Sequence, residues 1–143
     1  MELQNFGGIL SFAAELEAQD VAFYKAVADN PACEQYKALL EEFAADEKKN
    51  EKNMLRARRE NVTEMILEPI QDFTSEPFLT NREGAHEMNA EAVLAKATEL
   101  EEKAEQFYLQ AAEKIKALPE VSRALERNAK RRSAHKQQLT GLL

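Results

Sequence analysis

Apolar and polar positions along the chain recur with the period of an α-helix in four blocks, roughly residues 8 to 29, 32 to 59, 89 to 117 and 119 to 140. Asn30-Pro31 separates the first pair and Leu118-Pro119 the second, because proline disfavours helix in the residue before it and is accommodated in a first helical turn. Junctions this short make each pair an antiparallel hairpin. Between the hairpins, residues 60–88 carry Pro69, Pro77 and Gly84 and no sustained period, which predicts a strap crossing the length of a bundle. Its Ile66, Leu67, Ile70, Phe73 and Phe78 are expected to cover core edges. Asn89 is placed to cap the third helix, with Glu91 near the positive end of that helix's dipole. The pattern therefore predicts an all-α single domain, with hairpins over 8–59 and 89–140 joined by a crossover over 60–88.

What interrupts the apolar stripes is more informative than the stripes. In the first block the buried face reads Leu10, Ala14, Glu17, Val21, Tyr24, Ala28, and in the third Leu94, Ala97, Glu101, Ala104, Tyr108, Ala111, Ile115. The second reads Tyr36, Leu40, Phe43, Glu47, Asn50, Met54, and the fourth Val121, Leu125, Asn128, Arg132, His135, Leu139, Leu142. Measured from their helix junctions, Glu17, Glu47, Glu101 and His135 fall at similar depths, so all four can meet in one layer. An isolated carboxylate is costly in such a core, and several converging there imply metal ions, cationic partners or shared protons. Glu15-Leu16-Glu17 followed by Phe23-Tyr24 also recurs as Glu99-Leu100-Glu101 followed by Phe107-Tyr108. This repeat predicts two helical hairpins of one pattern related by a pseudo-twofold axis. Glu15 and Glu99 fall off the stripes and read as surface, while Tyr24 and Tyr108 read as core tyrosines bonded to a neighbour.

Composition narrows the function classes. Charged residues are 31% of the chain, Gly and Pro occur four times each and Trp is absent, a balance suited to long solvated helices. A net charge of -7, with basic residues interleaved among acids, argues against a nucleic-acid partner. Cys33 is the single cysteine, so neither an internal disulfide nor a paired-cysteine metal site can form, and a cytoplasmic location is expected. The opening MELQNFGG lacks the basic start and apolar run of an export signal, and no stretch reaches bilayer-spanning length, so no membrane association is expected.

Glu17 with Tyr24, Glu101 with Tyr108, and the block Phe43-Ala44-Ala45-Asp46-Glu47-Lys48-Lys49-Asn50 together resemble the rubrerythrin-like branch of the ferritin-like superfamily, over nearly the whole chain. The resemblance implies a ferritin-like four-helix bundle of di-iron carboxylate ancestry. In that pattern the first and third helices each give one Glu, and the second and fourth each give a Glu-x-x-His pair. Glu17 and Glu101 match the single glutamates, Glu47 the second-helix Glu and His135 the fourth-helix His. Two positions depart from it: Asn50 stands where a His would be, and Arg132 where the second paired Glu would be.

The resemblance thus implies a metal set of Glu17, Glu47, Glu101 and His135, with Asn50 a weaker member, Arg132 filling the site as a cation, and Tyr24 and Tyr108 behind the ligands. Three carboxylates and one Arg leave two negative charges, the complement of a single divalent ion. Arg132 forking onto Glu17 and Glu47 would replace the metal on that side. The expected function is that of a protein binding one iron or similar transition ion, or none, with residual oxidoreductase chemistry on oxygen or peroxide. Redox turnover would need an external electron donor, since a rubredoxin-like module takes four cysteines. Family analogy adds a homodimer. The alternative is a metal-free helical interaction or structural protein whose buried Arg-Glu-His layer sets helix register.

Overall fold

The computed structural model describes residues 2–61 and 69–143. Helix α1 (Phe6–Ala28) starts at Asn5, whose side chain accepts from the Gly8 amide. It ends before Asn30-Pro31 as the sequence requires. Residues Pro31–Tyr36 form a 3-10 segment, and α2 (Lys37–Asn61) begins only after it, later than the periodicity predicts. The reason is local. Asn30 caps the segment through the Ala32 amide, and Cys33, buried, takes φ -106° and ψ 16°, which breaks the helix. Tyr36 is consequently half-buried at the end of this turn and not a member of the α2 stripe.

Asn89 does cap α3 (Ala90–Lys114), accepting from the Ala92 amide. The helix stops short of residue 117 because Ile115 leaves helical geometry, at φ -107° and ψ 25°, ahead of Leu118-Pro119. Helix α4 (Pro119–Thr140) carries its proline in the first turn, where the missing amide costs nothing. Leu142, expected on the α4 stripe, lies beyond the helix end and is exposed.

The four helices form two hairpins, α1 with α2 and α3 with α4, packed face to face as an all-α bundle. The apolar core divides into two clusters. One gathers Leu3, Phe6, Leu10, Phe12, Phe107 and Leu125 toward one end of the bundle, and the other gathers Val27, Leu40, Phe43, Val93, Leu100 and Leu139 toward the other end. Each fully buried Leu or Phe contributes about 1.5–3 kcal/mol, so the clusters clamp the helices on both sides of the polar layer between them.

The strap docks as expected where it is described. Phe73 stacks on Phe107 at 5.9 Å and Phe78 meets the same ring edge-on at 5.5 Å. Ile70 is half-buried and its amide donates to the Gln4 carbonyl. Ile66 and Leu67 lie outside the described residues. Gly84, at φ +80°, makes the turn that leads into α3, a conformation L side chains rarely adopt. The Asn30 side-chain amide then donates to the carbonyls of Ala85 and Met88, tying the strap's end to the first hairpin. Among the described residues, no helix is long and apolar enough to cross a membrane.

Candidate metal centre

Helical spacing delivers one buried acid from α1 (Glu17), one from α2 (Glu47) and one from α3 (Glu101) to the middle of the bundle, all with no exposure to solvent. Arg132 and His135, one turn apart on α4, arrive from the fourth side, also buried. The guanidinium of Arg132 lies at the centre of the group. Its Nη2 approaches Glu17 Oε1 at 2.7 Å and Asp20 Oδ2 at 2.9 Å, and its Nη1 approaches Glu47 Oε2 and Glu101 Oε1, both at 3.0 Å. Arg132 thus spans four carboxylates, two more than the fork onto Glu17 and Glu47 expected from the sequence.

His135 occupies the side of the layer nearer α2. Its Nδ1 faces Glu47 Oε2 at 3.1 Å and Glu101 Oε2 at 3.3 Å, and its Nε2 faces Asp46 Oδ2 at 3.0 Å. The ring stacks on Phe43 with centroids 3.8 Å apart, which fixes its plane. Each tyrosine of the repeat reaches across to the other hairpin: Tyr24 donates to Glu101 at 2.6 Å, and Tyr108 donates to Glu17. The pseudo-twofold pattern of the sequence therefore appears in the bonding. Asn50 is buried at the rim of this layer, where its Oδ1 accepts from Arg131.

Three participants escaped the sequence reading. Asp20 is fully buried and holds Arg82 of the strap, which reaches Oδ1 through Nε at 2.8 Å and Nη2 at 2.6 Å. Its spacing of three residues from Glu17 on the same helical face was the available signal. Arg82 sits in a segment without periodicity and had no signal. Asp46 adjoins Glu47 in sequence, yet it points outward to orient the far nitrogen of His135.

Charge balance governs the chemistry. Four buried carboxylates, Glu17, Asp20, Glu47 and Glu101, face at most three cations, Arg132, Arg82 and protonated His135. Neutrality requires a proton or an ion. Burial pushes Glu47 well above the ordinary carboxylate range; Arg132 opposes this, and the neighbouring charge of Glu101 adds to it. Burial likewise raises Glu17 to about 7 against the pull of Arg132 and the Tyr108 hydrogen bond, and it raises Asp20 despite both arginines. Glu101 goes the other way. Burial would raise it, but Arg132 and its bonded neighbours Glu47 and His135 outweigh burial and bring it to about 2. His135 is raised, since bonding to Glu101 and Asp46 outweighs the burial that would lower it. Burial therefore opposes the charged forms of Glu47 and Glu17, while Glu101 is the acid held in its charged form.

These residues do not fit a pair of ions. Two ions sharing the four carboxylates would sit against a permanent guanidinium, and an amide stands at Asn50 where the pattern calls for imidazole. They do fit one. Glu47, Glu101 and His135 each offer a ligand atom, all within 4.8 Å of one another. Glu47 Oε1 is buried and receives no hydrogen bond from any donor among the described residues. Such an oxygen is served by a proton or by an ion.

No curated protein and no solved structure matches the chain at a significant level. The family model for rubrerythrin matches residues 8–143, which takes in the four helices but for the first two residues of α1, the strap and every residue of the buried layer. By that match, the chain belongs to the rubrerythrin family.

Proposed function

We propose that this rubrerythrin-family chain holds no more than one divalent transition ion, at Glu47, Glu101 and His135, and that Arg132 stands in for the second. The observation that carries this reading is the Arg132 guanidinium, fully buried and spread over Glu17, Asp20, Glu47 and Glu101. The family binds iron, and a single bound iron would supply one-electron chemistry. The chain's own residues prepare the place for it. Asp46 and Phe43 orient His135 with Nδ1 inward, Tyr24 holds Glu101 in position, and Glu47 releases its proton when an ion enters. Any residual action on oxygen or peroxide takes its electrons from an external donor, and the lone buried Cys33 suits a reducing cytoplasm.

A specific observation favours a second reading. The three cations and one proton neutralise the layer without any ion, which suits a polar layer that sets helix register in a structural or interaction protein. Titration of chelator-treated protein with Co(II), followed by visible absorption and by proton release, separates the possibilities. Saturation at one ion per chain with release of a proton is expected, no binding would assign the layer to structure, and two ions per chain would overturn the proposal.

A further inference from the structure

Two adjoining cavities lie along the seam between α2 and α4, one of about 390 Å³ and one of about 290 Å³, and Asn53 and Arg131 line both. The larger is bounded by Asp46, Lys49, Asn50, Arg131 and His135, whereas the smaller sets Arg56 and Arg127 against Glu60 and Glu120 and is balanced in charge apart from Arg131. Arg131 Nη1 donates to Asn128 Oδ1 at 2.8 Å and to Asn50 Oδ1 at 3.2 Å, so the guanidinium is pinned over the seam. Neither Arg131 nor Lys49 forms an ion pair among the described residues. Asn50 is buried, and its Nδ2 has no hydrogen-bond partner among the described residues. Asp46 is the one acid on the larger cavity, and it is already engaged by His135.

The charge of Arg131 and Lys49 and the unused Asn50 N–H therefore meet at the larger cavity, in a chain whose net charge is -7. A ligand that only accepts hydrogen bonds and carries negative charge meets these groups; a metal cation would be repelled by them. We propose that the α2–α4 seam binds a small oxyanion of the phosphate class, free or as the end of a monoester, with Arg131 and Lys49 supplying charge and Asn50 Nδ2 a neutral donor. The cavity borders the ion-binding reading of Glu47, Glu101 and His135 through His135, but the groups offered to the anion are Arg131, Lys49 and Asn50, so it does not depend on an ion being bound.

Calorimetric titration of the full chain with inorganic phosphate at constant ionic strength tests this, together with the side-chain amide resonances of nitrogen-15-labelled protein. One saturable site is expected, with the Asn50 amide resonance moving along the same isotherm. Arg131→Gln should weaken binding about tenfold or more, the loss of a charge-assisted hydrogen bond. Lys49→Gln, at an exposed position, should also weaken it and serves if the first variant folds poorly. Arg58→Gln makes the same charge change on an exposed α2 residue outside both cavities and should leave affinity within about twofold. Methyl phosphate in place of phosphate tells a monoester from the free ion: comparable or tighter binding supports the former, and exclusion supports the latter. Absence of saturable binding, or equal weakening by Arg58→Gln and Arg131→Gln, would overturn the proposal.

Discussion

On the α1 side of the buried layer, Glu17 and Asp20 face two arginines, Arg132 from α4 and Arg82 from the strap. On the other side, Glu47 and Glu101 share Arg132 with them but otherwise face His135 and a proton. Both sides bury two acids, and both lean on a tyrosine from the opposite hairpin or its immediate neighbour. They differ in what neutralises them. Guanidinium groups stay charged at any accessible pH and fill the space they occupy, whereas an imidazole can turn from cation to ligand and a carboxyl proton can leave. Only the second kind of neutralisation can be exchanged for a metal ion, so on the proposed reading the layer is closed on the Arg82 side and exchangeable on the His135 side.

Removing the shared cation should have the largest effect. Arg132→Ala leaves four buried carboxylates with one remaining arginine and should destabilise the chelated protein by about 3–5 kcal/mol in urea unfolding. Added Zn(II) should recover part of the loss, because a divalent ion can then enter the vacated space. A change of a few tenths of a kcal/mol would place no functional weight on the guanidinium.

Glu17 and Glu101 titrate with opposite sign. Glu17, at about 7 in the fold against 4.5 ordinarily, contributes stability that is fully present below pH 4.5 and lost as pH rises to about 7, worth up to about 3 kcal/mol. Glu101, held at about 2, contributes stability present above pH 4.5 and lost as pH falls toward 2. Chelated protein should therefore lose stability between pH 5 and pH 8, and Glu17→Gln should flatten that decline. Unfolding midpoints with the same slope in both proteins would show that Glu17 is not the group responsible.

The tyrosines give the smallest and finest comparison. Near pH 6, Tyr24 donates to ionised Glu101 and Tyr108 to a largely protonated Glu17. Tyr24→Phe should then cost about 1.5–3 kcal/mol and Tyr108→Phe about 1 kcal/mol, with the gap narrowing by pH 8 as Glu17 ionises. Equal costs at both pH values would argue against a difference in charge between the two acids.

Much of this arrangement was legible in the sequence, because helix period and burial are both local signals. Pro31 and Pro119 marked the hairpin turns, and the Glu17 and Glu101 repeat placed two acids on apolar stripes that do bury them. The start of α2 departs from the periodicity because the Cys33 kink depends on backbone angles that periodicity does not report. A stripe traced through Val21 leaves Asp20 aside, although the helix buries both. Arg82 could not be found. Its role arises from where the strap is laid down, and nothing about an arginine in an aperiodic segment specifies a buried partner on α1.

On the proposed reading, Arg132 and Asn50 are what separate this layer from a centre for two ions. Anaerobic Fe(II) titration of Asn50→His combined with Arg132→Glu, beside the parent and each single variant, measures it directly. Two Fe(II) per chain are expected in the double variant, no more than one in the parent, and a shortfall in each single variant, where one ion still lacks a ligand or meets the guanidinium. A parent chain that takes up two, or a folded double variant that binds no more than the parent, would contradict it.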